Sequence, residues 1–177
     1  MRVIAGQYKG RKLAEFRGTE VRPTSDMARE SLFNILRDKV NGSSFLDAFC
    51  GTGAVGIEAL SRGAKKVCFN DLSKDSINIL RKNLSSIGNP LGVTVKNGDA
   101  VWLMNNSFDK FDIIFLDPPY KDFVKKECLT ASVKCLNQNG IVVLEDEKFI
   151  DFEVEGLVLY DQRKYGRVKF SFFKKGE

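Results

Sequence analysis

The amino-acid sequence predicts an α/β domain built on a mostly parallel sheet of seven strands. Between residues 45 and 144, short apolar segments alternate with stretches whose apolar residues recur at helical spacing. This alternation is typical of parallel strands joined by helices. Two further segments, 154–160 and 167–173, alternate apolar and polar residues around Gly166, which predicts an antiparallel hairpin near the C-terminus. The length of 177 residues suits one such domain.

The first 24 residues predict a small β-hairpin extension ahead of this domain. Residues 2–5 and 11–14 have the pattern of short strands, and the glycines between them suit a hairpin loop. Candidate N-cap residues and apolar residues at helical spacing then predict a helix over 26–39. The domain itself is therefore predicted to cover residues 25–177.

The remaining elements follow in alternating order. The predicted parallel strands are 45–49, 67–70, 93–96, 111–116 and 141–144. Helices are predicted around Ile57 and Leu60, over 77–87, and over 121–136. Because ligands of such sheets bind beyond the carboxyl ends of the strands, the polar residues at those ends are the candidates for function.

The composition excludes several kinds of chemistry. The chain has no histidine, which excludes Ser-His-Asp and Cys-His catalysis and His-ligated metal sites. The four cysteines form no C-x-x-C pair, so we expect free thiols and no metal. Neither a signal-peptide core nor an apolar run of membrane-spanning length is present, so we expect a cytoplasmic protein that makes no membrane contact.

The charge is concentrated at the two ends of the chain. Residues 1–39 carry nine basic and five acidic side chains, and residues 160–177 carry six and two. Residues 40–159 carry thirteen and sixteen, while the whole chain has a net charge of +5. Two basic ends around a mildly acidic middle are compatible with nucleic-acid binding, and equally with a solvated basic face.

The first polar strand end is Asp47, followed by Gly51 and Gly53. The two glycines allow a tight turn from strand to helix and a close approach of the backbone to a ligand. Gly56 completes a G-x-G-x-x-G spacing, but a carboxylate at Asp47 would repel a pyrophosphate. The pattern therefore favours a ligand that carries an amine or a sulfonium cation over a dinucleotide, with a purely structural turn as the alternative.

Two further acids follow the second and third strands. Asp71 lies 18 residues after Gly53, close to the offset at which nucleotide-binding folds place a ribose-binding acid. Asp71 would otherwise be a helix cap. Asp99 could accept a hydrogen bond from the exocyclic amine of an adenine, although Gly-Asp is also a common turn.

The sharpest signal is Asp117-Pro118-Pro119-Tyr120 after the fourth strand. Two prolines remove two backbone donors and leave carbonyl acceptors, so an acid, a fixed carbonyl and an aromatic ring are held together. An exocyclic amine of a flipped base needs two acceptors and a ring to stack on. A rigid turn that ends a strand is the alternative explanation.

Together these motifs resemble those of class I S-adenosylmethionine-dependent methyltransferases. Asp117 to Tyr120 resemble the signature of enzymes that methylate exocyclic amines of nucleobases. More narrowly, the chain resembles the RsmD family, bacterial methyltransferases that modify guanine N2 in 16S rRNA. The closer match is carried by residues 1–6, 10–13, 22–26, 29–34, 45–64 and 117–120.

The resemblance implies a Rossmann-like methyltransferase fold, S-adenosylmethionine as cofactor and the small ribosomal subunit as partner of a monomer. It implies a cofactor-binding set of Thr24, Asp47, Phe49, Cys50, Gly51, Gly53, Asn70, Asp71, Leu72, Asp99 and Ala100. The catalytic set would be Asp117, Pro118, Pro119 and Tyr120. The basic residues of the extension would bind RNA phosphates: Arg2, Lys9, Arg11, Lys12, Arg17 and Arg22.

Two departures and three alternatives accompany this interpretation. Ser73 stands where family members commonly have a second acid, and the segment between Tyr120 and Gly140 is shorter than usual. The alternatives are an adenine-N6 methyltransferase of the same fold, a nicotinamide-dependent oxidoreductase, and a non-catalytic RNA-binding module. Asp47 ahead of the glycines argues against the oxidoreductase, and the intact acids argue against the binding module.

Overall fold

A computed structural model describes residues 1–17, 24–119 and 122–177 of the chain. The helices are α1 (Asp26–Leu36), α2 (Ala54–Ser61), α3 (Lys74–Ser86), α4 (Ala100–Asn106) and α5 (Asp122–Cys135). The strands are β1 (Ser44–Asp47), β2 (Lys66–Asp71), β3 (Val93–Asn97), β4 (Phe111–Leu116), β5 (Leu136–Asp146), β6 (Leu157–Tyr165) and β7 (Val168–Lys175).

The seven strands form one sheet in the order β3-β2-β1-β4-β5-β7-β6. The first five strands are parallel, and β7 runs antiparallel to both β5 and β6. The predicted mostly parallel sheet with a C-terminal antiparallel hairpin is therefore confirmed. All five parallel strands end at one edge of the sheet, which we call the carboxyl edge, and the β6–β7 turn lies at the same edge because β7 is reversed.

Helices cover both faces of the sheet, as the alternation of side chains along the strands requires. Phe45, Phe69 and Phe115 point to one face and pack in a core with apolar residues of α1, α2 and α3. Leu46 and Ile114 point to the other face and pack in a second core with residues of α4 and α5. Burial on both faces explains why β4 and residues 141–144 of β5 consist almost entirely of apolar residues.

The N-terminal hairpin, residues 1–14, is less regular than the sequence predicts. Its two segments share a single bridge between Arg2 and Lys12 instead of two paired strands. The reason is that the amides of Ile4 and Ala5 donate to the carboxylate of Glu58 in α2, at 2.9 and 3.0 Å, rather than to a partner strand. The hairpin is thereby held against α2, and the division of the chain at residue 24 stays a prediction.

Several element boundaries also differ from the predicted ones. The helix predicted over 26–39 ends at Leu36 and continues as a 3-10 turn. β6 begins at Leu157 rather than residue 154, because the amide of Leu157 donates to Val154 O across a turn at Gly156. The short helix α4, which no pattern predicted, begins at the N-cap Asp99. Across the described ranges, no helix has the length and apolar character needed to cross a bilayer.

Candidate active site

The carboxyl edge brings the predicted strand-end residues together. Within the sheet, Asp47 of β1 is in register with Phe69 of β2 and Phe115 of β4. The residues that follow β2 and β4 therefore lie on either side of the residues that follow β1. Acids from four neighbouring strands, β1, β2, β4 and β5, meet along this edge.

The glycine loop, residues 48–53, is fixed by hydrogen bonds to two of the predicted acids. Asp47 is almost fully buried, and its Oδ2 accepts from the amide of Gly56 at 2.9 Å. The amide of Gly51 donates to Asp71 Oδ2 at 2.9 Å. Gly53 has φ 86°, and a Cβ there would overlap Leu80 Cδ1. The tight turn predicted from the glycines therefore also needs glycine for close packing against α3.

Two buried asparagines support this loop. Asn70 donates from Nδ2 to Ala48 O at 3.1 Å and to Gly98 O at 2.9 Å. Asn83 of α3 donates from Nδ2 to Thr52 O at 2.8 Å and to Ala14 O at 3.1 Å, while its Oδ1 accepts from the amide of Ala14. The sequence analysis did not find Asn83. Its only signal was a polar residue in line with the apolar stripe of α3.

Asp71 and Asp99 each accept a hydrogen bond from an amide of the segment that follows, and Asp99 is the N-cap of α4. Asp71 Oδ1 accepts from the amide of Ser73 at 2.9 Å, and Asp99 Oδ1 accepts from the amide of Trp102 at 2.7 Å. Each carboxylate has more lone pairs than these bonds use, so both retain acceptor capacity. Leu72 and Trp102 beside them are 73% and 67% exposed, which leaves apolar surface for a flat ring to cover.

Asp117 and the two prolines continue directly from β4. Pro118 is buried, whereas Asp117 and Pro119 are exposed as whole residues. Even so, protein atoms surround the Asp117 carboxyl closely enough to raise its pKa well above the usual range, and Glu145 and Asp146 raise it further by their negative charge. Tyr120 lies outside the described residues, as does Arg22 of the predicted RNA-binding set.

Glu145 is a site residue that the sequence analysis missed. It is buried near the end of β5, and its Oε2 accepts a hydrogen bond from Thr24 Oγ1 at 2.7 Å. Burial raises the pKa of Glu145 to about 7, the Thr24 hydroxyl lowers it, and Asp47 raises it. Thr24 and Glu145 are 121 positions apart, so no local pattern links them.

Burial likewise raises the pKa of Asp47 to about 7. The Gly56 amide opposes this shift, whereas Asp117 and then Asp71 reinforce it. Asp47, Asp71, Asp117 and Glu145 thus form an acidic cluster, in which negative neighbours raise the pKa of Asp47, Asp117 and Glu145 further than burial does alone. Such a cluster favours a cationic ligand, because a positive charge relieves the repulsion among the carboxylates.

The other predicted cofactor residues take different positions. Cys50 is buried in the glycine loop, where burial raises the pKa of its thiol far above the ordinary value. Phe49 is half-buried against the core on the α4–α5 face, and Ala100 lies within that core. These side chains support the loops, so any contact they make with a ligand would be through backbone or edge atoms.

The described part of the predicted RNA-binding set lies on the N-terminal hairpin and just after it. The side chains of Arg2, Lys9, Arg11, Lys12 and Arg17 are all exposed. Tyr8, in contrast, packs against the core. The hairpin therefore presents a basic surface beside α2.

Comparisons with known proteins identify the family. A family model described as "Conserved hypothetical protein 95" matches residues 1–174. Ribosomal RNA small subunit methyltransferase D of Haemophilus influenzae is 37% identical over 155 residues, which cover 84% of this chain and 79% of the relative. The chain belongs to the RsmD family. The enzyme of the same name from Escherichia coli is 34% identical over 157 residues, 88% of this chain and 76% of its own.

A solved structure supports the same assignment of fold. An Escherichia coli protein named as a candidate methyltransferase superposes with a TM-score of 0.88 at 28% identity, covering 99% of this chain and 97% of its own. The predicted class I methyltransferase fold is thus confirmed, and the RsmD family places this chain among S-adenosylmethionine-dependent rRNA methyltransferases. Ser73, where family members commonly have an acid, caps α3 instead, accepting from the amide of Ser76 at 3.3 Å.

The site residues suit the donor groups of S-adenosylmethionine. That molecule presents an amine, a sulfonium cation, two ribose hydroxyls and an adenine amine, and the carboxyl edge offers carboxylates from several strands. Asn70 Oδ1 adds a buried acceptor that has no partner among the described residues, although it lies between the loops that follow β1 and β3. An unpaired buried acceptor is costly, so a donor that reaches it would be bound favourably.

Proposed function

We propose that this protein transfers a methyl group from S-adenosylmethionine to the exocyclic N2 amine of a guanine in 16S rRNA. The observation that carries the proposal is the placement of Asp117 and Pro118 at the end of β4, directly beside the acidic cluster around Asp47. Membership of the RsmD family supports both the reaction and the ribosomal substrate. An rRNA substrate makes the cytoplasm the site of action, and we expect a monomer to act on the small subunit.

The β1–β3 half of the edge would hold the cofactor. Asp47 would accept from its amine, Asp71 from the ribose hydroxyls, and Asp99 from the adenine amine. Leu72 and Trp102, both exposed, would cover the faces of the adenine ring. S-adenosylmethionine supplies an electrophilic methyl group on its sulfonium. The role of the protein is to fix the distance and direction between that methyl group and the acceptor.

The β4–β5 half would hold the guanine. The Asp117 carboxylate and the Pro118 carbonyl would each accept one N–H of the N2 amine, which directs its lone pair toward the methyl group. Pro118 is buried and has no amide hydrogen, so it offers the base a carbonyl acceptor and no backbone donor. After transfer, the methylated amine is acidic, and Asp117 would accept its proton or pass it to water. Tyr120 would stack on the base.

The N-terminal hairpin would bind RNA from its position against α2. Its exposed cations would contact phosphates, and each phosphate neutralised would add about 0.7–0.9 to the magnitude of the slope of log K against log salt. About six contacts would give a slope of roughly −4 to −5. A slope near zero would show that these residues do not bind phosphates and form an ordinary solvated surface.

The deciding experiment is methyl transfer from labelled S-adenosylmethionine to small ribosomal subunits that lack this modification. Naked 16S rRNA and duplex DNA are tested in parallel, and the products are digested to nucleosides. N2-methylguanosine is the expected product. N6-methyladenine would keep the cofactor site and overturn the choice of base. Cofactor binding without transfer to any substrate would overturn the proposed reaction.

A further inference from the structure

The β6–β7 hairpin carries the second basic end of the chain to the carboxyl edge. Its turn consists of Gly166 and Arg167, since Tyr165 and Val168 form the last pair of the ladder. Lys164 and Lys169 pair one step before the turn. These cations and Glu147 line an open recess of about 350 Å³.

This recess lies at the carboxyl edge of the sheet, as does the proposed methyl-transfer site. Glu145 of β5 is in register with Phe170 of β7, so the residues before Phe170 extend beyond the ends of β4 and β5. Arg167 is three residues further along and two strands from β4. Standard strand spacing and rise put it about 15 Å from Asp117, a few nucleotides along an RNA strand from the target base.

Two of the three cations at this turn, Lys164 and Arg167, have no ion-pair partner within the described ranges. Lys164 and Lys169 are cross-strand neighbours, and like charges directly opposite each other destabilise a hairpin. Lys169 turns away, donating from Nζ to Glu147 O at 2.5 Å and lying 5.3 Å from the centroid of the Phe149 ring. Lys164 and Arg167 stay exposed, and within the described ranges neither forms an ion pair with a carboxylate.

The element that presents these cations is rigid. Gly166 has φ 62°, the conformation that tight two-residue hairpin turns require. Gln162 Oε1 accepts from both Ser171 Oγ and the amide of Ile150, each at 3.0 Å, which ties the hairpin to the segment after β5. Tyr165 packs against Phe170 with ring centroids 6.1 Å apart. RNA binding to these cations would therefore cost little free energy for ordering the protein backbone that carries them.

We propose that Lys164, Arg167 and Lys169 form a second RNA-binding surface, which contacts backbone phosphates of the substrate on the β5 side of the active site. This rests on the proposed function for the identity of the RNA. The guanidinium fork of Arg167 matches a phosphate, and Lys164 and Lys169 add positive charge to the same recess. Together with the N-terminal hairpin, the surface would hold the RNA on two sides of the target base.

The test compares two double variants with the same change in charge. Lys164→Gln with Arg167→Gln neutralises the proposed surface. Lys65→Gln with Lys66→Gln is the control, because these exposed lysines lie at the opposite edge, where they line a separate groove at the start of β2. Binding to a 16S rRNA transcript is measured across a salt series for both variants and the unmodified protein.

We expect the Lys164/Arg167 variant to reduce the magnitude of the log–log salt slope by about 1.4–1.8, corresponding to two lost phosphate contacts. The control should leave the slope nearly unchanged. Methylation of small subunits should show a higher KM and an unaltered kcat. Equal slopes in all three proteins, or an equal reduction in the control, would overturn the proposal.

Thermal unfolding separates binding from folding. Because neither Lys164 nor Arg167 forms an ion pair within the described ranges, the free variant should keep the melting temperature of the unmodified protein while its RNA affinity falls. A lower melting temperature would assign the cations a structural role and overturn the proposal. RNA binding is measured without turnover, so it is independent of the methylated product. A reduced salt slope together with a product other than N2-methylguanosine would support the RNA-binding surface and overturn the proposed target base.

Discussion

The acidic residues in the two halves of the carboxyl edge have different surroundings. At the ends of β1 and β2, Asp47 and Asp71 accept hydrogen bonds from the amides of Gly56, Gly51 and Ser73. At the ends of β4 and β5, burial raises the pKa of Asp117, and the charges of Glu145 and Asp146 raise it further. The acids of the first half accept from backbone amides, whereas in the second half Glu145 accepts from Thr24 and Asp146 pairs with Lys125. The contrast suits a cofactor half that is built in advance and an acceptor half that is completed by substrate.

The largest effect should come from Asp117→Ala, which removes the proposed acceptor of the guanine amine. We expect kcat to fall by about 10²–10³-fold, as for other single groups that act on the reacting atoms. Cofactor affinity should hold or improve, because Asp117 is one of the charges that raise the pKa of Asp47. The emission of Trp102, the only tryptophan in the sequence, can report cofactor binding. If the Asp117→Ala variant no longer bound the cofactor, Asp117 would belong to the cofactor half and the proposed division of the site would be wrong.

The next prediction tests whether packing against α3 fixes the conformation of the glycine loop in the cofactor half. Gly53→Ala should lower the free energy of unfolding by about 2–4 kcal/mol, since it combines a positive φ with an overlap at Leu80. Gly10→Ala is the matched control, because Gly10 has φ 83° but open space around it. It should cost about 1 kcal/mol. Equal losses in denaturant titrations would show that packing against α3 does not shape the loop.

Asn83→Ala tests the support behind the glycine loop. It leaves the Thr52 carbonyl and the Ala14 amide without their partner, and should lower the free energy of unfolding by about 2 kcal/mol. Asn78→Ala, at an exposed position of the same helix, should change it by less than about 0.5 kcal/mol. If the two variants are equally stable, the Asn83 hydrogen bonds do not hold the loop.

The smallest effect is a pH dependence with opposite signs in two measurements. The pKa of about 7 for Asp47 and Glu145 exceeds the ordinary value for a carboxyl, so the folded state binds protons more readily than the unfolded state. The stability of the ligand-free protein should therefore fall as pH rises from about 4 to about 7. Affinity for S-adenosylmethionine should instead rise over the upper part of that range, because the ionised cluster attracts its positive charges.

Calorimetric titration measures this dependence, and adenosine provides the control ligand. Each group contributes at most about tenfold per pH unit. Adenosine carries neither the amine nor the sulfonium, so its affinity should vary little. Glu145→Gln should weaken the dependence for S-adenosylmethionine. A cofactor affinity that does not change with pH would mean that the acidic cluster plays no part in binding.

The sequence predicted the cofactor half more completely than the acceptor half, for physical reasons. Asp47, Gly53 and Asp71 lie within one strand–helix–strand unit, so alternation and spacing were enough to bring them together. Glu145 and Asn83 depend on contacts with Thr24 and Ala14, which are 121 and 69 positions away. Such contacts arise only from packing. The N-terminal hairpin pairs with itself as predicted at Arg2 and Lys12, but no local pattern showed that Glu58 would accept from the amides of Ile4 and Ala5.

Asn83 also connects the proposed RNA-binding hairpin to the proposed cofactor-binding loop. One amide group holds both the end of the basic hairpin at Ala14 and the carbonyl of Thr52 in the glycine loop. If RNA binds the hairpin as proposed, a displacement of the hairpin would reach the glycine loop through this side chain, in addition to the contacts of the hairpin with α2. Any energetic linkage that results must be reciprocal, so a cofactor that stiffens the loop would strengthen the grip on RNA by the same factor.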